Sequence, residues 1–159
     1  MSIEEKDASF MKEALRLAQE AAARGEVPVG AVLVRENQII ASHSNSVEAD
    51  PSVTSHAELG VLRIGAEKCQ NWRLSDCTLY VTLEPCIMCA SAIRLSRVSR
   101  LVYGAPDLRL GGFGSYVDIS KDTVFGPPPE IVSGVLQEES AYLLREFFRE
   151  RRGGELAHV

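Results

Sequence analysis

The sequence predicts a three-layer α/β/α sandwich built around a central mixed five-stranded sheet. Two observations lead to this fold class. Helical and extended patterns alternate along most of the chain, and the first two strand patterns are separated only by a short polar turn. Such alternation is typical of a sheet covered by helices on both faces, and an opening hairpin adds an antiparallel pair. We expect one domain over 1–159, with its core at about 8–152 and short tails.

The first elements follow from the spacing of apolar residues. In Ser9–Arg24 they recur at three- and four-residue steps, which predicts an amphipathic helix, and Gly25 is suited to its end. The valine-rich Val29–Val34 predicts a buried strand. A polar turn at Asn37 then leads into Ile39–Ser44, which is the expected return strand of the hairpin.

Helices and strands alternate through the rest of the chain. A second helix is predicted to start near His56, and a third runs from Pro85, a residue suited to a first helical turn, to Ser96. Residues 105–129, which contain many glycines and three consecutive prolines, are expected to be the longest irregular stretch. The remaining elements are strands at Thr78–Leu83, Val98–Tyr103 and Ile131–Val135, and a last helix at Glu138–Arg152.

Composition and charge limit the classes of function. The longest apolar run, Val27–Val34, has eight residues, far fewer than the ~18 that a membrane span needs. No basic and then apolar segment opens the chain, so we expect a cytoplasmic protein without membrane contact. The net charge of −5 argues against indiscriminate binding to nucleic acid. Four arginines against two glutamates within 141–152 still leave a local basic patch.

Four residues in two short motifs carry the chemistry: His56 and Glu58, then Cys86 and Cys89. Two thiolates and one imidazole suit zinc, and three protein ligands leave the fourth tetrahedral position open for water, as in catalytic sites. The cysteines stand three residues apart at a predicted helix start, where the helix dipole favours thiolates. Glu58 is then free to take a proton from water and to deliver it to a leaving group.

Other interpretations of these residues have to be weighed. Cys86 and Cys89 alone would also fit a redox or structural pair, and Ser55 with Glu58 fits a helix capping box. The coincidence of His-x-Glu with Pro-Cys-x-x-Cys favours a catalytic site over both. The remaining cysteines, Cys69 and Cys77, have no such partner and are expected to be buried small residues.

The segments His56-Ala57-Glu58 and Pro85-Cys86-Ile87-Met88-Cys89 together resemble the zinc motifs of the cytidine/deoxycytidylate deaminase superfamily. Several flanking segments are similar to the tRNA-specific adenosine deaminases of bacteria within that superfamily. These flanking segments are 26–32, 71–74, 78–86, 104–107 and 147–152. The resemblance extends over roughly residues 8–152 and implies a cytidine deaminase-like fold.

The resemblance implies an enzyme that converts adenosine to inosine at the wobble position of a tRNA anticodon. One zinc ion per chain would be held by His56, Cys86 and Cys89, with Glu58 moving protons. A homodimer is implied, whose site for the tRNA anticodon arm uses both subunits. The adenosine would first leave its base stack, which costs least in a single-stranded loop.

The resemblance also implies substrate contacts. Asn45 would hydrogen-bond the flipped nucleoside, and Asp107 would contact the sugar or backbone, although both also suit simple turns. Arg149 and Arg152 would contact phosphates of the anticodon arm, as would Arg145 and Arg151, unless the last helix is only a solvated amphipathic helix. In that helix, Phe147 and Phe148 either shape the pocket or belong to the core.

Other functions fit the same motifs. A deaminase of free guanine, of cytosine or cytidine, or of a riboflavin precursor would share the fold and the zinc site. A zinc-stabilised RNA-binding module without catalysis is disfavoured, because it would have no use for Glu58. The chain departs from the usual pattern at Asp50-Pro51, at Arg109-Leu110 and at 126–129. These departures lie in loops expected to touch RNA, and they leave the metal site untouched.

Overall fold

The computed structural model describes the backbone of residues 1–157 and the side chains of residues 1–153. Its helices and strands alternate as the sequence predicts. In chain order they are α1 (Ile3–Ala23), β1 (Gly30–Arg35), β2 (Gln38–Ser44), α2 (Ala57–Cys69), β3 (Cys77–Leu83), α3 (Ile87–Leu95), β4 (Arg100–Ala105), β5 (Glu130–Val132) and α4 (Gln137–Ala157). None of these helices has the length and apolar character that a membrane crossing requires.

The five strands form one mixed sheet in the order β2-β1-β3-β4-β5. The hairpin strand β1 is antiparallel to both β2 and β3. The strands β3, β4 and β5 are parallel to one another. The predicted mixed five-stranded sheet is therefore confirmed, with the hairpin at one edge and the parallel strands at the other.

Helices cover both faces of this sheet and give the predicted three layers. On one face, α1 and α4 pack over a core that contains Met11, Val32 and Val102. On the other face, α2 and α3 pack over a core that contains Val61 and Leu79. Neighbouring residues of one strand point to opposite faces, so a central strand such as β3 supplies side chains to both cores.

The bounds of some elements differ from the prediction. Helix α1 begins at Ile3 and not at Ser9, because the Oγ atom of Ser2 accepts a hydrogen bond from the Glu5 amide at 3.1 Å. The acidic residues of this first turn, Glu4 and Glu5, also stabilise the helix start, because their negative charges lie at the positive end of the helix dipole. The apolar spacing starts later than this cap, so it places the helix start too late.

The bounds of β4, β5 and α4 also differ from the prediction. Strand β4 begins at Arg100 and not at Val98, after Arg97 adopts a left-handed backbone conformation with φ of 65°. Strand β5 ends at Val132, close to Gly134, whose φ is 83°. Helix α4 continues beyond Arg152 to Ala157, and His158 of the expected tail lies outside the described residues.

Ala105 is the last residue of β4, and the stretch after it is irregular as predicted, except for a 3₁₀ turn at Thr123–Phe125 and two isolated β-bridges that involve Gly111, Phe113 and Asp118. Its conformation depends on Arg94, a buried residue of α3. The Arg94 guanidinium donates hydrogen bonds to four backbone carbonyls of this stretch, those of Ile119, Ser120, Asp122 and Gly126. A single buried cation thus replaces the regular hydrogen bonding that the loop lacks.

Candidate active site

His56 and Glu58 lie at the N-terminus of α2. His56 is the N-cap residue and makes no side-chain capping bond. The hydroxyl of Ser55 instead donates to the backbone carbonyl of Asp50 at 2.8 Å. The capping-box interpretation of Ser55 and Glu58 is therefore wrong, because Ser55 precedes the cap position. The Glu58 side chain is left to face the site.

Cys86 and Cys89 lie at the N-terminus of α3. Cys86 is the N-cap residue of this helix, and Cys89 stands in its first turn. Pro85 was expected inside that turn but precedes it, so this detail of the prediction is wrong. Gly111 pairs with Cys86 in an isolated antiparallel bridge and ties the loop after β4 to the same helix start.

The two helix N-termini bring three metal-binding atoms together. The Sγ atoms of Cys86 and Cys89 lie 3.7 Å and 3.4 Å from Nδ1 of His56. All three atoms lie within 4.8 Å of one another. Sulfur and nitrogen ligands of one tetrahedral zinc ion stand about 3.5 Å apart, given bond lengths of about 2.3 Å and about 2.0 Å. The donor set and its spacing fit zinc.

The charges of these ligands are coupled. Hydrogen bonds from Cys89 and His56 lower the pKa of the Cys86 thiol to about 4, against the opposing effect of burial. The hydrogen bond with Cys86 raises the pKa of His56. The hydrogen bond with Cys86, together with burial, raises the pKa of the Cys89 thiol. One thiolate is therefore available before any metal binds, at a helix end that favours anions.

Glu58 is buried beside these ligands, with 4% of its surface exposed. Burial disfavours the charged carboxylate and raises its pKa to about 7. The side chain lines the same cavity as His56 and Cys86. A carboxyl group in such a place can exchange protons with a molecule bound in the cavity.

Of the remaining cysteines and histidines, those that the structure describes, Cys69, Cys77 and His43, do not join this cluster. Cys77 is buried as predicted, and burial raises the pKa of its thiol to about 12. Cys69 is only half-buried, with its Sγ atom 3.5 Å from the guanidinium of Arg35. His43 packs against Gly60, where an added Cβ would lie 2.1 Å from the imidazole.

A cavity of about 650 Å³ opens above the cluster. Asn45 lines it and is buried, with 7% of its surface exposed. Its backbone amide donates to the carbonyl of Val29 at 2.9 Å. Its side-chain amide forms no hydrogen bond with any residue that the structure describes. This amide is therefore free to bind a ligand in the cavity.

Asp107 lines the cavity as well, but its carboxylate is engaged locally. Its Oδ1 atom accepts hydrogen bonds from the amides of Arg109 and Leu110 at 3.1 Å and 3.2 Å. This arrangement is the turn that the sequence left open as an alternative. The side chain shapes the loop, and its contact with a substrate stays a prediction.

The last helix closes one side of the cavity with residues at helical spacing. Leu144, Phe148 and Arg151 line it, and Arg151 donates to the carbonyl of Gly25 at 2.6 Å. Phe147 is buried instead and packs as a core residue. The spacing of 144, 148 and 151 would have identified these three residues as one face of the helix.

Two of the four arginines predicted to contact RNA, Arg149 and Arg152, lie elsewhere on α4. Arg149 is exposed, pairs with Glu146 at 2.5 Å and does not line the cavity. Arg152 is exposed and also lies outside the cavity. Both side chains remain accessible to a large ligand that extends beyond the cavity, so their contacts with RNA stay predictions.

Two buried glutamates of the cavity wall were missed in the sequence. Glu26 accepts hydrogen bonds from the amides of Glu48 and Ala49, the latter at 2.8 Å. Glu84 accepts hydrogen bonds from the loop that follows β4. Each stands beside an apolar segment, and a charged residue in such a place is the signal that could have identified it.

Comparisons with known proteins agree with the metal site. The family model of the cytidine and deoxycytidylate deaminase zinc-binding region matches residues 4–105. The chain is 45% identical to the tRNA-specific adenosine deaminase of Bacillus subtilis, over 92% of this chain and 91% of that protein. Similarity therefore extends over nearly the whole length of both proteins.

Solved structures show the same relationship. The chain matches a structure from a study of A-to-I editing by tRNA:A34 deaminases at the wobble position, with 43% identity and a TM-score of 0.82. That match covers 86% of this chain and 99% of the other. A guanine deaminase structure from Bacillus subtilis matches with 36% identity and a TM-score of 0.61, over 67% of this chain and 66% of that one.

Proposed function

This chain belongs to the cytidine and deoxycytidylate deaminase family, and we propose on that basis that it hydrolyses adenosine to inosine at the wobble position of a tRNA anticodon. The observation that carries this proposal is the 45% identity to a tRNA-specific adenosine deaminase over nearly the full length of both chains. The guanine deaminase match covers a smaller part of this chain, with lower identity.

His56, Cys86 and Cys89 would hold one zinc ion through Nδ1 and the two Sγ atoms. When bound, zinc supplies Lewis-acid activation of the attacking water. The residues contribute through their placement. Two helix N-termini stabilise the thiolates, and Cys89 is buried whereas His56 and Cys86 line the cavity. The Pro-Cys-x-x-Cys segment thus acts as one half of a preformed site.

Glu58 moves the protons of the reaction. It accepts a proton from water as the water oxygen bonds to C6 of adenine, and it delivers a proton to the amino nitrogen as the C6–N bond breaks. Adenosine and water thus give inosine and ammonia. The carboxyl group lies on the cavity wall two residues from His56 on the same helix start, so one side chain can serve both transfers.

The cavity suits one unstacked base. Asn45 offers an amide that no described protein group occupies, and Phe148 and Leu144 give an apolar wall for a flat ring. Arg151 of α4 lines the cavity, and Arg149 and Arg152 are exposed on the same helix, where they can contact phosphates. The net charge of −5 disfavours unselective RNA binding. We place the reaction in the cytoplasm, as the sequence predicts.

The function is tested by incubating the zinc-loaded protein with an anticodon stem–loop, with free guanine and with cytidine, and by measuring inosine and ammonia. Inosine is expected at the wobble position only. Glu58→Ala should lower kcat by about 10²- to 10⁴-fold while about one zinc per chain is retained. The matched control is Glu67→Ala, which changes an exposed glutamate of the same helix and should leave both unchanged.

Each outcome decides the assignment. Deamination of guanine or cytidine without inosine in RNA would favour the free-base alternative and refute the proposal. Binding of RNA without ammonia from any substrate would favour the module without catalysis. Loss of zinc from Glu58→Ala would mean that the proposed assignment, with Glu58 as proton carrier and not as metal ligand, is wrong.

We also propose that the protein acts as a homodimer. Ile87 and Leu95 lie on one side of α3 and are 43% and 56% exposed. Leu110, whose carbonyl accepts the Ile87 amide at 3.0 Å, extends this apolar face to the cavity. A second copy docked here would lie beside the substrate. Light scattering should give the mass of two chains, and Leu95→Arg should give one; a wild-type monomer would refute the proposal.

A further inference from the structure

Glu84 is a buried carboxylate that the proposed reaction leaves without a role. It stands two residues before Cys86, and 1% of its surface is exposed. Its Oε1 atom accepts from the Asp107 amide at 3.2 Å and from the Ser115 hydroxyl. Its Oε2 atom accepts from the amides of Phe113 and Ser115 at 3.1 Å and 3.2 Å. Four donors from one loop thus occupy both oxygens.

The loop approaches Glu84 closely because of a glycine. A Cβ atom added to Gly111 would lie 2.2 Å from Oε2 of Glu84, so any larger residue would push the carboxylate away. Two backbone bonds fasten the loop to the start of α3. The Gly112 amide donates to the carbonyl of Pro85 at 2.9 Å, and the Ile87 amide donates to that of Leu110 at 3.0 Å.

The loop held in this way is a wall of the cavity. Residues 106–110 all line it, opposite the residues from α4. The zinc ligands Cys86 and Cys89 belong to the helix that follows Glu84 directly. The carboxylate therefore stands between the metal-binding helix and the wall that a substrate would touch. It is bonded to that wall at the Asp107 amide, and to the following part of the same loop at the amides of Phe113 and Ser115.

We propose that Glu84 is a positioning residue, which sets the distance of the 106–110 wall from the metal ligands and thereby the fit of the substrate. This inference rests on the proposed function only for its substrate. Glu84 is not assigned to catalysis, because donors from the loop after β4 fill both oxygens. A neutral amide in its place would keep the shape and lose one of the two acceptor oxygens.

The test compares Glu84→Gln with wild type in the zinc-loaded enzyme. Amide hydrogen exchange at Asp107, Phe113 and Ser115 should accelerate by about tenfold or more, because these donors lose part of their acceptor. Zinc content should stay at about one per chain. With an anticodon stem–loop, KM should rise by about tenfold or more, and kcat should fall by less than about threefold.

The chain offers a matched control in Glu26→Gln. Glu26 is equally buried and accepts amides of the other cavity loop, those of Glu48 and Ala49. Faster exchange is expected at these two amides and not at Asp107 or Phe113. If Glu84→Gln fails to fold, Ser115→Ala is the second variant. It removes the hydroxyl donor of Ser115 and keeps its amide donor, so it should also raise KM, but by a smaller factor.

Several results would overturn the proposal. Unchanged exchange at 107 and 113 in Glu84→Gln would show that the carboxylate does not hold the loop. A fall in kcat with unchanged KM would indicate a role in catalysis, and loss of zinc would indicate support of the metal site. Inactive wild type would refute the proposed function alone, because the exchange measurement would still decide whether Glu84 holds the wall.

Discussion

Replacing Asn45 by alanine should weaken substrate binding and leave the fold intact. The backbone bond from Asn45 to Val29 is kept by alanine, and the side-chain amide bonds no described residue. Two hydrogen bonds from this amide to a base, at about 0.5–1.5 kcal/mol each, amount to about 1–3 kcal/mol. The expected loss in kcat/KM for an anticodon stem–loop is therefore about 5- to 150-fold.

The measurement combines steady-state inosine formation with thermal unfolding. Tm should change by less than about 2 °C, because no protein hydrogen bond is removed. Asn71→Ala, a change of an exposed asparagine outside the cavity, serves as the control and should leave kcat/KM unchanged. If Asn45→Ala kept wild-type kcat/KM, or lost activity only in proportion to lost folded protein, the assignment of Asn45 to the substrate would be refuted.

Three further changes test other parts of the structure. Arg149→Ala should weaken binding of the anticodon stem–loop and reduce the slope of log Kd against log salt by about one, and an unchanged slope would exclude a phosphate contact. Arg151→Ala removes the bond to the Gly25 carbonyl and should raise KM by about threefold to tenfold, since one wall of the cavity loosens; equal KM values would show the bond to be incidental. Asp7→Asn should lower the free energy of unfolding by about 3 kcal/mol at neutral pH, because Asp7 forms a buried two-bond ion pair with Arg100. Burial alone would raise the pKa of Asp7, but hydrogen bonds from Arg100 and its neighbours lower it. The difference between wild type and variant should hold above about pH 4 and shrink as the pH falls further; a difference independent of pH in urea unfolding would contradict the ion-pair account.

Most of the elements could be predicted because their signals are local. The spacing of Met11, Ala14 and Ala18 identifies α1 from neighbouring turns alone, and the valines of β1 identify a buried strand. The start of α1 was misplaced because a cap is one polar residue, Ser2, and leaves no periodic pattern. The capping box failed for a related reason, since Ser55 bonds a residue of the preceding loop.

The cluster of His56, Cys86 and Cys89 could be predicted because metal binding requires particular residue types at short spacing. His56 and Cys86 are both at helix starts, and the topology of the family is enough to place these two helix starts side by side. The cavity wall could not be predicted in this way. Arg151 reaches Gly25 across 126 residues, whereas Arg149 on the same helix faces solvent. Which face of α4 turns inward depends on its packing against the sheet.

By itself, the sequence determined the fold class and the residue types that form the possible metal site, because these depend on chemical identity and on spacing within one or two turns. The tertiary structure decided the strand order, the inward face of α4 and the hydrogen-bond partners of Glu84, because these depend on contacts between segments far apart in the chain. A buried carboxylate can transfer protons beside a metal site, or it can hold a loop in place by accepting hydrogen bonds from it. Its hydrogen-bond partners distinguish the two roles.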